Sequence, residues 1–145
     1  MNLSRDARLI SGITLVAVPT IQYGGLTLLG ILTMGDAGMA PAGLELDDRQ
    51  WALFRAGHAH AGVWVLFSLV IQVLLDAAVL SATLTRVARL AAPVAAIAIS
   101  GGFFGVAFIP AFSVLIYIGA ASLAAAVILT GIGLIRRAPD VAGAG

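Results

Sequence analysis

The strongest constraint on this chain is that its apolar residues form four stretches, each long enough to cross a lipid bilayer. The 145 residues are 61% apolar and only 10% charged, which is too little polar surface for a soluble domain of this size. A helix needs about 20 apolar residues to cross a hydrocarbon core of about 30 Å, and in lipid its backbone must be satisfied internally. The sequence therefore predicts a single all-α domain, residues 1–145, that forms an antiparallel bundle of four transmembrane helices in the lipid bilayer, at about residues 9–34, 51–75, 90–109 and 112–135.

The arginines divide the predicted connections into two classes. Six of the eight arginines lie on one side of the bundle, within residues 5–8, 86–89 and 136–137, whereas residues 35–50 hold four acidic residues and one arginine. The positive-inside rule assigns the arginine-rich side to the cytoplasm. We therefore expect both termini in the cytoplasm, in the plasma membrane of a prokaryote, with residues 35–50 outside. The net charge of +1 and the lack of any other basic patch indicate no nucleic-acid partner.

Polar side chains of all four predicted helices lie at a similar depth, about 10–18 Å below the outer boundary at 1.5 Å per residue. They are Gln22, Tyr23, His58, His60, Ser100 and Ser122. In helix bundles, such layers hold ligands and cofactors. The alternative is that the serines bond their own helix backbone and that Gln22 and Tyr23 tie helices together. Because the first two helices are sequential and antiparallel, we expect Gln22 or Tyr23 to approach one of the histidines.

The segment Arg55-Ala56-Gly57-His58-Ala59-His60-Ala61-Gly62 contains both histidines of the chain. Ionisable residues at membrane depth mark functional sites, and neutral imidazole is a good ligand for iron or copper. The small neighbours, Gly57 and Gly62 among them, leave room for a large, flat ligand. On a helix the two imidazoles point about 200° apart, so they cannot both bind one small metal ion. Either each faces its own partner, or one faces another subunit, which predicts a homo-oligomer with the second helix at or near the interface.

This histidine segment resembles the His-x-His helix of haem–copper oxidase catalytic subunits, and is closest to the C-family enzymes. It also looks like the His-Ala-His segment of a nitric-oxide-response family of haem–copper membrane proteins. The resemblance implies that haem, ahead of copper, is the cofactor, with His58 matching the high-spin haem ligand and His60 the low-spin one. Arg55, one turn outward, would then pair with haem propionates; otherwise it extends to the outer interface.

The resemblance covers one helix of four, and the chain departs from the oxidase pattern elsewhere. The three further histidines of the oxidase copper site and the second axial histidine of the low-spin haem are missing. One protomer is therefore not expected to be a complete enzyme. It could bind a five-coordinate haem, share a bis-histidine haem across a symmetric interface, or use a weaker ligand such as Tyr23.

The sequence leaves three functions open. The first is a small haem-binding membrane protein for electron transfer or sensing, with His58 and His60 as axial ligands. The second is a proton-coupled transporter or channel that uses the polar layer around the histidines. The third is a structural or assembly subunit of a larger membrane complex.

Overall fold

The computed structural model describes residues 2–34 and 46–136, without the side chains of residues 31–34. This part of the chain forms four long helices and no strand. They are α1 (Arg5–Met34), α2 (Asp48–Leu74), α3 (Ala82–Val106) and α4 (Ser113–Ile135), and a short 3-10 turn (Pro110–Phe112) precedes α4. All four are long and apolar enough to span a membrane. The predicted all-α architecture of four apolar, membrane-length helices is confirmed, whereas the side on which the termini lie stays a prediction. Most of the predicted outer loop lies outside the described residues.

The start of α2 is fixed by a reciprocal pair of hydrogen bonds. The Asp47 carboxylate accepts from the Gln50 backbone amide at 2.7 Å, and the Gln50 side-chain oxygen accepts from the Asp47 amide at 3.0 Å. Two of the amides that a helix start leaves without partners are thereby satisfied. The helix therefore begins at Asp48, three residues before the predicted start at Trp51.

The start of α3 corrects the sequence prediction by two turns. Residues 90–109 were predicted to form the third helix, but α3 begins at Ala82, where the Ser81 hydroxyl caps it by accepting from the Leu84 amide. The first two turns contain threonines and arginines, so they lack the apolar character by which the helix was located. Arg86 and Arg89 consequently lie inside α3 and not in a connection.

The helices are antiparallel and pack in chain order. The most extensive contacts join α3 to α4 and α2 to α3, and α1 packs mainly against α2 at the edge of the bundle. We call the end that holds Ser4, the α2–α3 connection and Arg136 the terminal end. There the Val79 amide donates to the Gly133 carbonyl at 2.8 Å, which fixes the α2–α3 connection to α4. A buried apolar cluster lies near this end: Ile71, Leu75, Ala88, Ala92 and Ala126.

Glycine lets α3 and α4 approach closely. A Cβ atom on Gly119 would lie 2.8 Å from the backbone nitrogen of Ile99, and one on Gly102 would lie 3.0 Å from that of Ile116. Small residues at such crossings are typical of helix packing in membranes, where close van der Waals contact holds helices together. The α3–α4 pair therefore forms the tightest part of the fold.

Candidate functional site

His60 lies on the face of α2 that packs against α3. Its ring centroid is 4.7 Å from that of Phe103 and 6.0 Å from that of Trp64. Its Nδ1 is 2.7 Å from the Ala56 carbonyl oxygen. Because a carbonyl can only accept, Nδ1 is the donor, and in the neutral form of the ring the free lone pair is therefore on Nε2. Metal-binding histidines are usually oriented by such a bond from the other ring nitrogen.

An open groove of about 460 Å³ lies beside His60, between α2 and α4 and above α3. Its volume falls within the range of about 300–1,000 Å³ common for small-molecule and cofactor sites. The walls are apolar except for His60 and the Trp64 indole. The other lining residues are Ile99, Phe103, Ile116, Ala120, Leu123, Ala124 and Val127. The groove therefore suits a large apolar ligand that offers one group to an imidazole.

His58 faces the opposite way, toward α1. A Cβ atom on Gly25 would lie 2.8 Å from both Cε1 and Nε2 of the His58 ring, so the imidazole packs directly against the glycine backbone. The two imidazoles thus diverge as helical geometry requires. Each imidazole packs against a helix of its own chain, and both histidines are half-buried. The homo-oligomer itself stays a prediction.

Gln22 and Tyr23 do not make the predicted approach to the histidines. Both residues are exposed, Tyr23 to 74%, and in the described part of the chain no hydrogen bond joins either one to His58 or His60. The reason is the rotation of α1 about its own axis. The positions that α1 turns toward the bundle recur at alternating four- and three-residue steps. These positions are Ala7, Ser11, Thr14, Val18, Ile21 and Gly25. Gln22 and Tyr23 lie outside this stripe, and Gly25 takes the place predicted for them.

The two glycines predicted to leave room for a ligand differ in what lies beside them. Gly57 is buried, and a Cβ atom there would lie 3.0 Å from the Phe104 ring, so a side chain and not a ligand fills that space. Gly62 has nothing within 4 Å of the corresponding position. Arg55 is exposed on α2, and its role toward propionates stays a prediction.

Ser100 is the member of the predicted polar layer that the fold buries most deeply. It is 7% exposed, and its Oγ has no hydrogen-bond partner among the described residues. The expectation that it bonds its own helix backbone is therefore wrong. Ser122 is half-buried on α4.

A cluster that the sequence analysis missed joins three elements at the terminal end. Pro93 has no amide proton, so the carbonyl of Arg89, four residues earlier, lacks its usual helical partner. The Gln72 side chain donates to that carbonyl at 2.9 Å. The Arg89 guanidinium donates to the backbone and side-chain oxygens of Gln72 at 3.0 and 3.2 Å, and pairs with Asp76. The Asp76 carboxylate also accepts from the Ser4 backbone amide at 2.8 Å.

This cluster shifts the acidity of Asp76. Burial raises the pKa of its carboxyl, but hydrogen bonds from Ser4 and the ion pair with Arg89 outweigh burial, and the pKa lies below its ordinary value of 3.8. Arg89 itself is only 5% exposed. The sequence signal was a proline four residues after an arginine, but the arginine was assigned to membrane topology alone.

Within residues 2–34 and 46–136, no group of three or more histidine, cysteine, aspartate or glutamate residues could hold a metal ion. Haem does not require such a group, because a single imidazole can hold its iron. Comparison with protein-family models, with curated protein sequences and with solved structures finds no match for this chain.

Proposed function

We propose that this chain is a small haem-binding membrane protein in which Nε2 of His60 would bind the haem iron. The observation that carries the proposal is the bond between His60 Nδ1 and the Ala56 carbonyl, which leaves Nε2 free at an apolar groove. When bound, haem supplies one-electron redox chemistry or a site for a small gas. Electron transfer or sensing is therefore the proposed role.

Three sets of groups around His60 would support haem binding. The Ala56 carbonyl holds the tautomer and increases the basicity of the ligating nitrogen. Phe103 restricts rotation of the imidazole by packing against its face. The aliphatic side chains of α3 and α4 keep water away from the ligand and provide the apolar surface that a macrocycle buries.

His58 is not the ligand in this proposal. Its ring edge, including Nε2, meets the backbone of α1 at Gly25, which leaves no space for a macrocycle on that side unless α1 moves. The oxidase resemblance implies a haem on each histidine. The packing of α1 favours a single haem per chain, on His60.

The experiment compares two matched histidine variants after haem reconstitution of the detergent-solubilised protein. We expect the parent protein and His58→Ala to give a Soret band that shifts on reduction, and His60→Ala to lose it. Helical content from far-UV circular dichroism controls for folding. A parent protein without a Soret band, or a His60→Ala variant that binds haem as well as His58→Ala, would contradict the proposal.

A further inference from the structure

Five residues with polar side-chain atoms follow one another at four-residue steps along α2 and its C-terminal end. They are His60, Trp64, Ser68, Gln72 and Asp76. Residues four apart lie on the same side of a helix, one turn above another. The contacts of His60 with Phe103 and of Gln72 with Arg89 show that this side faces α3. We call these five residues the polar stripe.

The middle of the polar stripe holds buried polar atoms without protein partners. Trp64 Nε1 and Ser68 Oγ are buried and form no hydrogen bond within the described residues, and Ser68 is only 1% exposed. Ser100 Oγ on α3 is in the same condition. The Gly57–Phe104 and Gln72–Arg89 contacts set the helix register, and this places Ser100 level with Ala61. The three unpartnered atoms therefore lie along one interface, between α2 and α3.

Leaving these atoms unpartnered would be costly, since a buried polar group without a hydrogen bond costs about 1–3 kcal/mol. Buried polar groups that lack protein partners are usually satisfied by internal water, which forms about three hydrogen bonds each. An indole N–H donates to water, and a serine hydroxyl both donates and accepts. A row of water molecules along the stripe would therefore find a donor at Trp64 and both a donor and an acceptor at Ser68.

The polar stripe ends at a water-accessible position. Asp76 lies at the terminal end, in an exposed turn, and its carboxylate joins Arg89 and Gln72 in one network. At the other end of the stripe is His60, which opens on the groove. Among the described residues, the charged group that contacts the stripe from α3 is Arg89, and the uncharged Ser4 backbone amide contacts it from the start of the chain.

We propose that a row of bound water molecules occupies the polar stripe and gives protons a path between Asp76 and the groove beside His60. The path supplies or removes a proton at the groove from one side of the membrane only. This inference goes beyond the proposed haem binding and does not depend on which ligand occupies the groove. The experiment that tests it therefore uses protein without added haem. If the protein failed to bind haem, the result of this experiment would still stand.

The experiment follows hydrogen exchange of the Trp64 indole in nanodiscs. The chain has two tryptophans, so ¹⁵N-labelled protein gives one indole signal for Trp64 and one for Trp51, which serves as the internal reference. We compare Ser68→Val with Ser68→Thr, because valine and threonine side chains have the same shape but only threonine keeps the hydroxyl. We expect Ser68→Val to slow Trp64 exchange in D₂O about tenfold, and Ser68→Thr to leave it near the parent rate.

Two further observations complete the test. Ser68→Ala removes the hydroxyl without adding atoms, and should slow Trp64 exchange in the same direction even if the larger variants fail to fold. An unchanged Trp51 signal shows that the bundle is intact. Trp64 exchange that takes days in the parent protein, or equal rates in the valine and threonine variants, would overturn the proposal.

Discussion

The Arg89 guanidinium illustrates how a single charged residue can be accommodated inside an apolar helix. Its donors reach Gln72 and Asp76, and its own carbonyl, freed by Pro93, receives the Gln72 amide. Each of these groups is the hydrogen-bond partner of another. Replacing one of them therefore leaves its partners without a hydrogen bond in an apolar environment. The loss of folding free energy on a substitution here therefore depends mainly on which buried polar groups are left without a partner.

Replacing Arg89 should destabilise the protein strongly, whereas replacing Arg86 should not. Arg89→Ala leaves the buried Gln72 and the partly exposed Asp76 without their main partner, and leaving buried polar groups unpaired costs about 1–3 kcal/mol. Arg86 is exposed on the same helix, and loss of a surface charge changes stability by about 0.5 kcal/mol or less. Thermal unfolding in detergent, read by circular dichroism, compares the two. Equal melting temperatures would show that the buried cluster contributes little.

The same cluster predicts a loss of stability in acid. The folded-state pKa of Asp76 lies below its ordinary value of 3.8, so its stabilising contribution is complete above that value. The contribution is lost as the pH falls through the lower, folded-state pKa. We expect the melting temperature to drop as the pH falls below about 4, and to drop less in Asp76→Asn, whose side chain does not titrate. An identical acid profile in the variant would assign the loss to other carboxyls.

At the scale of the helices, glycines have opposite roles on the same element. On α4, Gly119 lies against the backbone of Ile99, whereas Gly131 has nothing within 4 Å of its missing side chain. Both are helical, so both lose backbone entropy on folding relative to alanine. Only Gly119 is required for the close approach of α3 and α4.

Alanine at these two positions should therefore shift stability in opposite directions. Gly119→Ala forces α3 and α4 apart and should cost about 1–3 kcal/mol, the usual range for overpacking. Gly131→Ala adds only helix propensity and should be neutral or stabilising by up to about 1 kcal/mol. Thermal unfolding of the two variants in one detergent measures the difference. Similar destabilisation by both would mean that the α3–α4 contact tolerates an added methyl group.

For the whole molecule, the orientation in the membrane can be tested because the chain contains no cysteine. Ala111, in the α3–α4 turn, and Ala77, in the α2–α3 connection, are both exposed at opposite ends of the bundle. If the termini are cytoplasmic, Ala111→Cys should react with an impermeant maleimide in intact cells, and Ala77→Cys only after lysis. The reverse pattern would invert the predicted topology.

The predicted homo-oligomer also belongs to this scale. Both histidines face their own chain, so the interface would use the remaining outward side of α2, which includes Ala59, Val63 and Val70. We expect the protein in mild detergent to have the mass of at least a dimer, and Ala59→Trp to reduce that mass by adding bulk at the interface. Light scattering measures both. A uniform monomer would eliminate the oligomer and any haem shared between two copies.

The sequence alone determined the features that depend on local periodicity and composition. Four apolar stretches required four helices, because lipid offers no other partner for the backbone. The two-residue spacing of His58 and His60 required their side chains to diverge on a helix.

Only the tertiary structure decided which face of each helix meets which neighbour. The rotation of α1 places Gly25 against His58 and turns Tyr23 outward, and no local pattern around Tyr23 encodes that rotation. Arg89 was interpreted as a topology signal, because its partners Gln72 and Asp76 lie 17 and 13 residues away. Contacts of this kind depend on helix register and rotation, which are set by packing summed over whole interfaces and not by any single segment.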